Sequence, residues 1–326
     1  MLKPDADRSP DQRLVSVIIP CLNEEDNISD SLEEIVGVLE SKGEAFELLP
    51  VNDGSKDGTL ERIKTKARDD DRVVPIDLIR NYGQTRAYQA GIDAARGTHV
   101  ILFSGDLEIP AEEILKVIEE LDSGYDFVNT SRKDRWGASH ALKSRLANGL
   151  LNRLNDLKIC DRGSGLKGMK REIAKSFRLY GEWHRFLPDL ASIHTSRITE
   201  FEVPFAERKA GVSSYKGKLK SLSVFLDLAS VAFTVHSHRK PYLMLPGRLL
   251  GFTGLLIGAI GIATTAYLVY LKLFMGEALA DRPLFLVAVL LSVLGLNMVM
   301  IGILGELIMQ ISAKLDHHIV RYKRPS

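Results

Sequence analysis

Four short polar clusters hold most of the side chains in this sequence that could do chemistry. They are Pro20-Cys-Leu-Asn-Glu-Glu, Asn52-Asp-Gly-Ser-Lys-Asp, Arg80-Asn-Tyr-Gly-Gln and Ser104-Gly-Asp-Leu-Glu, and each follows a short apolar run. Taken singly, Asp53-Gly-Ser or Arg80-Asn is ordinary loop chemistry. Set together on one edge of one sheet they make a site, because acidic side chains at strand ends commonly read the hydroxyls of a ribose. Asp106 and Glu108 are two residues apart and point to the same side of an extended backbone. Downstream, Arg132 and Arg145 bring guanidinium groups, whose planar forks suit phosphate oxygens. The alternative for them is a solvated basic face shared with Lys133, Arg135 and Lys143.

The apolar runs that precede the clusters predict strands over residues 14–20, 46–51, 73–79 and 98–103, with another over 125–130. Helices are expected between them, the first over 28–39. Glu25 and Asp26 then read as favourable charges at that helix start. Strands alternating with helices predict an open α/β sheet with its ligands beyond the carboxyl ends of the strands. The last quarter is different. Two uncharged apolar runs, 249–271 and 283–305, are each long enough to cross a ~30 Å hydrocarbon core and are separated by about a dozen residues. They predict a membrane hairpin within 241–312. Arg239, Lys240 and Arg248 precede it, and Lys314, Arg321, Lys323 and Arg324 follow it. That excess places the preceding domain and a basic tail, 313–326, in the cytoplasm. Residues 218–240 repeat Leu222, Phe225, Leu226, Ala229 and Phe233 at helical spacing. They read either as an interfacial amphipathic helix or as a helix packed on the domain core. Gly254 and Gly258 form a GxxxG, usable within the hairpin or between copies in a homo-oligomer.

Composition adds exclusions. A net charge of +1 with 26% charged residues argues against a nucleic-acid partner. Cys21 and Cys160 are too few for a disulfide framework and fit a reducing compartment. Residues 1–13 are polar, show no signal-peptide pattern and are expected to be disordered.

In their order and wording the four clusters resemble the inverting glycosyltransferases of family 2, above all the polyprenyl-phosphate sugar synthases of the dolichol-phosphate mannose synthase and bacterial undecaprenyl-phosphate glucosyltransferase type. The resemblance continues through Asp161-Arg-Gly-Ser-Gly-Leu-Lys, His184-Arg-Phe-Leu-Pro and Arg208-Lys-Ala-Gly-Val-Ser-Ser-Tyr into the hairpin. It implies a GT-A (Rossmann-like) nucleotide-sugar domain over 14–217. The expected reaction moves a hexose-type sugar, with inversion, from a nucleotide sugar to undecaprenyl or dolichyl phosphate. UDP-hexose is favoured over GDP-mannose. Rival readings are another lipid acceptor, such as diacylglycerol or ceramide, or a non-catalytic sugar-nucleotide binder.

By the same resemblance Pro20, Leu22, Glu24, Val51, Asp53, Arg80, Gln84, Gly105 and Asp106 bind the donor. Mg²⁺ or Mn²⁺ is expected on the diphosphate. Family members carry Asp-X-Asp where this chain has Ser104-Gly-Asp, so Asp106 and Glu108 are assigned as the metal ligands, or else Glu108 merely begins the next helix. Arg132, Arg145, Arg208 and Ser213 are expected to hold the acceptor phosphate, with Asp106, Arg132 and Arg208 catalytic. A lipid phosphate is already anionic, so no catalytic histidine is required. Asp161 is expected to orient a sugar hydroxyl, and Leu166 and Lys167 replace the family's Phe and Arg.

Overall fold

The computed structural model describes residues 13–105, 108–132, 152, 157–179, 181–205, 235, 246–276 and 283–313. The chain divides into two compact units, Met1–Val235 and His236–Ser326. Most of the expected N-terminal tail, of the segment 218–240 and of the basic tail lies outside the described residues. Arg13, Val235 and Ala313 are the exceptions: Arg13 is ordered by ion pairs to Glu44 and Asp122, and Val235 is fully buried in a core cluster of the first unit.

The first unit is built on a seven-stranded sheet. Its strands are β1 (Val15–Cys21), β2 (Phe46–Asn52), β3 (Ile76–Asp77), β4 (His99–Leu102), β5 (Phe127–Arg132), β6 (Lys167–Lys170) and β7 (Ile198–Val203), in the order β3-β2-β1-β4-β6-β5-β7. Helices α1 (Ile28–Ser41), α2 (Thr59–Asp69), α3 (Gln84–Ala94) and α4 (Glu113–Asp122) connect the early strands. α5 (Arg171–Ser176) and α6 (Leu187–His194) come later, the latter preceded by a 3-10 turn, Trp183–Phe186. β1 shows why the sheet is central. Val15, Val17, Ile19 and Cys21 enter one core with Leu32, Ile35 and Leu39 of α1 and Val117 and Leu121 of α4. Ile18 enters the opposite core with Ala87, Tyr88 and Ile92 of α3. Side chains alternate across a strand, so a continuous apolar run serves both faces.

Two departures from the sequence expectation have clear causes. The third strand shrinks from 73–79 to two residues plus a single Leu48–Val73 bridge. Pro75 interrupts it and Pro50 of β2 has no N–H for a neighbour, so pairing resumes only at Val51–Ile76. The sheet is also mixed: β6 runs antiparallel to both β4 and β5. Lys167-Gly-Met-Lys lacks a strand's composition, and its two-sided ladder is what fixes it as one.

The second unit consists of α7 (Pro246–Met275) and α8 (Pro283–Ala313), which contain candidate spans Leu249–Met275 and Pro283–Gly305. Their contact is a seam of small residues. A Cβ on Gly254 would lie 2.8 Å from the Gly295 carbonyl oxygen, and one on Gly261 would lie 2.5 Å from the Ser292 nitrogen. A Cβ on Gly302 would lie 2.5 Å from the Gly247 carbonyl oxygen. Ala288, Gly295 and Gly302 repeat at the seven-residue spacing that keeps one stripe against a neighbour. Gly254 and Gly258 are therefore spent inside the hairpin, where close van der Waals approach drives association in lipid. Gly295→Ala places a methyl 2.4 Å from the Gly258 backbone. It should weaken the hairpin by about 1–3 kcal/mol, the usual range for overpacking. The check is cross-linking between cysteines placed on the two helices, which should fall in the variant; unchanged yield would mean the seam is loose.

Candidate functional site

The described residues of the four polar clusters lie at the carboxyl edge of β1, β2, β3 and β4, and hydrogen bonds stitch the first to the second and the second to the third. Pro20 is half-buried, and Leu22 and Val51 are buried. Asn23 adopts φ 54°, a conformation asparagine tolerates. Its N–H donates to Ser55 Oγ at 3.0 Å, while its side-chain oxygen accepts the Lys56 N–H at 2.9 Å. The Glu24 N–H donates to Thr59 Oγ1 at 2.9 Å, and the Glu24 carboxylate accepts from Asn27 Nδ2 at 3.0 Å. Glu25 was expected to serve the start of α1. It serves α2 instead, accepting the Gly58 N–H at 2.9 Å. Burial raises the Asp57 carboxyl, but hydrogen bonds from the Thr59 hydroxyl and the Thr59 and Glu25 N–H groups outweigh it and hold the group below its ordinary range.

Asp53 is the hinge between the second and third clusters. Fully buried, it accepts the Tyr82 N–H at 2.7 Å and the Gly83 N–H at 2.9 Å, one on each carboxylate oxygen. It thereby fixes the loop that carries Arg80, whose guanidinium stands 4.8 Å over the Tyr82 ring. Gln84 opens α3, with Nε2 donating to the Tyr88 hydroxyl at 3.4 Å. Gly105 is buried against Ile19, and its carbonyl accepts from Ser31 Oγ at 2.7 Å. Glu108 is half-buried in the turn that follows. Asp106, Arg145, Arg208 and Ser213 lie outside the described residues. Among the described residues there is no group of three or more His, Cys, Asp or Glu side chains placed to hold a metal.

Beside this edge lies a buried polar network that sequence reasoning did not assemble. Arg132, the last residue of β5, pairs bidentately with Asp161: Nε donates to Oδ2 at 2.6 Å and Nη2 to Oδ1 at 2.9 Å. Both side chains are buried. The expected phosphate clamp and the expected sugar-orienting carboxylate thus hold each other, and the guanidinium carbon of Arg132 stands 5.8 Å from the centre of the Phe205 ring. Asp161 also accepts the Gly163 N–H at 3.0 Å. Glu200 of β7 accepts the Cys160 and Asp161 N–H groups at 2.7 and 3.1 Å, and Asn129 Nδ2 donates to the Asp161 carbonyl at 2.9 Å. The alternation of Ile198-Thr-Glu-Phe-Glu-Val is the sequence signal for β7, and hence for Glu200. The turn after Asp161 abuts the Ser104 cluster: a Cβ on Gly165 would lie 2.8 Å from the Ser104 Cβ. His184 Nδ1 is 2.6 Å from Thr85 Oγ1, which ties its motif to α3.

Lys167 closes the network from below, its ammonium donating to the Ser164 carbonyl. Burial pushes its pKa from 10.5 down to about 7, and the Arg132 and Arg185 charges act in the same direction against Asp161 and Glu200. Between those two values the unfolded chain carries a proton that the folded chain lacks, so stability rises with pH across that window. In Lys167→Met that contribution disappears. The variant's thermal midpoint should therefore fall relative to wild type as pH rises from about 7 toward 10.5. A gap that does not change with pH would show that the amine titrates in the folded chain as it does in the unfolded one.

A mixed α/β sheet with its polar loops gathered on one edge, followed by two long apolar helices, defines a GT-A-type domain joined to a candidate membrane hairpin. The chain belongs to glycosyl transferase family 2, whose profile matches residues 16–178. It is 35% identical over 301 residues to the undecaprenyl-phosphate 4-deoxy-4-formamido-L-arabinose transferase of Edwardsiella ictaluri, covering 91% of this chain and 89% of the relative. It is equally, 35%, identical over 300 residues to the dodecaprenyl-phosphate galacturonate synthase of Rhizobium johnstonii, covering 90% and 87%. Among solved structures, the fold is similar to glucosyl-3-phosphoglycerate synthase from Mycobacterium tuberculosis, crystallised with Mn²⁺, UDP-glucose and phosphoglyceric acid. The TM-score there is 0.52 at 20% identity, covering 68% of this chain and 80% of that one.

Proposed function

We propose that this protein is an inverting glycosyltransferase that moves a sugar from a nucleotide sugar to the phosphate of a polyprenyl phosphate at the cytoplasmic face of a membrane. One observation carries this: two polyprenyl-phosphate sugar transferases align with about nine-tenths of the chain. In this reaction an acceptor phosphate oxygen attacks the anomeric carbon as the bond to the nucleoside diphosphate breaks. The acceptor oxygen is already anionic, so the chain need only bind, orient and exclude water. The clusters around Leu22, Glu24, Val51, Asp53 and Arg80 would cradle the nucleoside. Arg132, Arg145, Arg208 and Ser213 would hold the lipid phosphate. Asp106 and Glu108 are hard oxygen donors of the kind that suit Mg²⁺ or Mn²⁺, and they would hold it beside the donor diphosphate. When bound, such a cation supplies charge neutralisation for the departing diphosphate.

The test incubates the full chain in bilayers with labelled UDP-glucose, UDP-N-acetylhexosamines, UDP-galacturonate, GDP-mannose and UDP-linked 4-deoxy-4-formamido-L-arabinose, each with undecaprenyl or dolichyl phosphate. One pair should give a lipid-linked sugar, and Asp106→Ala should lower its rate by on the order of 10²–10³, the loss typical of removing a charge-stabilising group. Failure of every pair, or transfer to diacylglycerol instead, would overturn the assignment.

A further inference from the structure

The outer face of α8 carries a feature that the hairpin contact does not use. Leu286, Leu290, Val293, Met300 and Leu304 are each more than half exposed and, with Asn297, repeat at alternating spacings of four and three. That is the a/d pattern of a helix seam, with the polar residue at one a position. Asn297 is exposed, whereas Gly295, two residues away and so roughly 200° around the helix, is buried against α7. Within the candidate span Pro283–Gly305 Asn297 lies three residues, or about 4.5 Å, from the midpoint. The other polar side chain of that span, Ser292, sits at the hairpin seam and donates to the Ala288 carbonyl at 2.9 Å.

Among the described residues, Asn297 makes one hydrogen bond, from Nδ2 to the Val293 carbonyl at 2.9 Å. A carboxamide has two N–H groups and an oxygen with two lone pairs, so most of its capacity faces outward, where the candidate span would meet hydrocarbon. Hydrocarbon offers that group nothing, and polar side chains at such depth usually face another helix. The amide is self-complementary, being both donor and acceptor. Copies of one chain insert in one orientation, so a two-fold axis along the membrane normal brings each residue to its counterpart at the same depth. A second copy is thus the partner that always offers a matching amide at this level.

We propose that α8 associates with α8 of a second copy through this outer face, with the two Asn297 amides hydrogen-bonded across the axis. The contact rests on the span assignment and is independent of the sugar transferred. Its test uses the full chain in bilayers, with Cys160→Ser removing the exposed thiol. Single cysteines at Val293 or Met300 should form an intermolecular disulfide on oxidation, and one at Phe252 on α7 should not. Adding Asn297→Leu to Val293→Cys should weaken self-association about three- to tenfold, the range measured for hydrogen bonds between membrane helices, and Asn297→Gln should restore part of it. Equal cross-linking from Phe252 and Val293, or an Asn297→Leu variant that associates as well as its parent, would overturn the proposal. So would an Asn297→Leu variant that cross-links normally yet loses transfer to the lipid acceptor, because the face would then serve the polyprenyl chain. The disulfide readout needs no substrate, so failure of the proposed reaction would leave it intact.

Discussion

Asp161→Ala is expected to lower the stability of the GT-A domain by about 3–5 kcal/mol, the cost of leaving one member of a buried ion pair uncompensated. For a domain of this size that corresponds to roughly 6–20 °C in thermal midpoint. Arg132 would remain buried without its bidentate partner, and the Gly163 N–H would lose its acceptor. Arg132→Met should be comparably costly, because it strands the Asp161 carboxylate. The informative protein is the double variant Arg132→Met/Asp161→Leu, which removes both charges and should recover most of the lost stability. Activity need not follow. If Arg132 holds the acceptor phosphate, as proposed, the stable double variant should keep its donor affinity while its KM for lipid phosphate rises by tenfold or more, on the order of one charge-assisted hydrogen bond. A double variant that is both stable and fully active would make Arg132 purely architectural.

That network also marks where sequence reading ends. The β1, β2 and β4 segments were legible because continuous apolar runs between turn signals admit few alternatives, and α1 was found within two residues of its end. The hairpin was legible because length and apolarity alone define it. The clusters on the sheet edge followed from knowing where parallel strands end. The partners were a different matter. Glu25 assists α2 across the loop, and Arg132 meets Asp161 29 residues on. Both depend on how loops fold back, for which local spacing carries no signal. β6 shows the same limit at the level of an element: Lys167-Gly-Met-Lys becomes a strand because β4 and β5 leave a gap that needs two-sided hydrogen bonding. Ser104 gains a physical context in the same way. It lies where Gly165 passes within the space of one methyl group, so the loop preceding Asp106 is braced by the turn after Asp161.

Gly54→Ala should damage donor binding far more than Gly83→Ala, although both glycines hold positive φ (68° and 90°). An L-residue in such a conformation costs roughly 1–3 kcal/mol in either place. The surroundings separate them. A Cβ on Gly83 meets nothing within 4 Å, whereas one on Gly54 would lie 2.4 Å from both the Arg80 carbonyl carbon and the Asn81 nitrogen. Those are backbone atoms and cannot rotate away, so the Arg80–Gly83 loop must shift. That loop is held by the Asp53 carboxylate, next to Gly54 in sequence, through the Tyr82 and Gly83 N–H groups. Displacing it strains both hydrogen bonds to a fully buried carboxylate, for which an unmade bond costs about 1–3 kcal/mol. Added together, the overlap and the strained bonds predict a Kd for UDP, the nucleotide favoured for the proposed donor, about ten- to a hundredfold weaker in Gly54→Ala than in Gly83→Ala. Calorimetric titration of the two purified variants measures this directly. Equal affinities would mean that the third loop does not shape the nucleotide pocket, and Arg80 and Gln84 would then have to be withdrawn from the donor site.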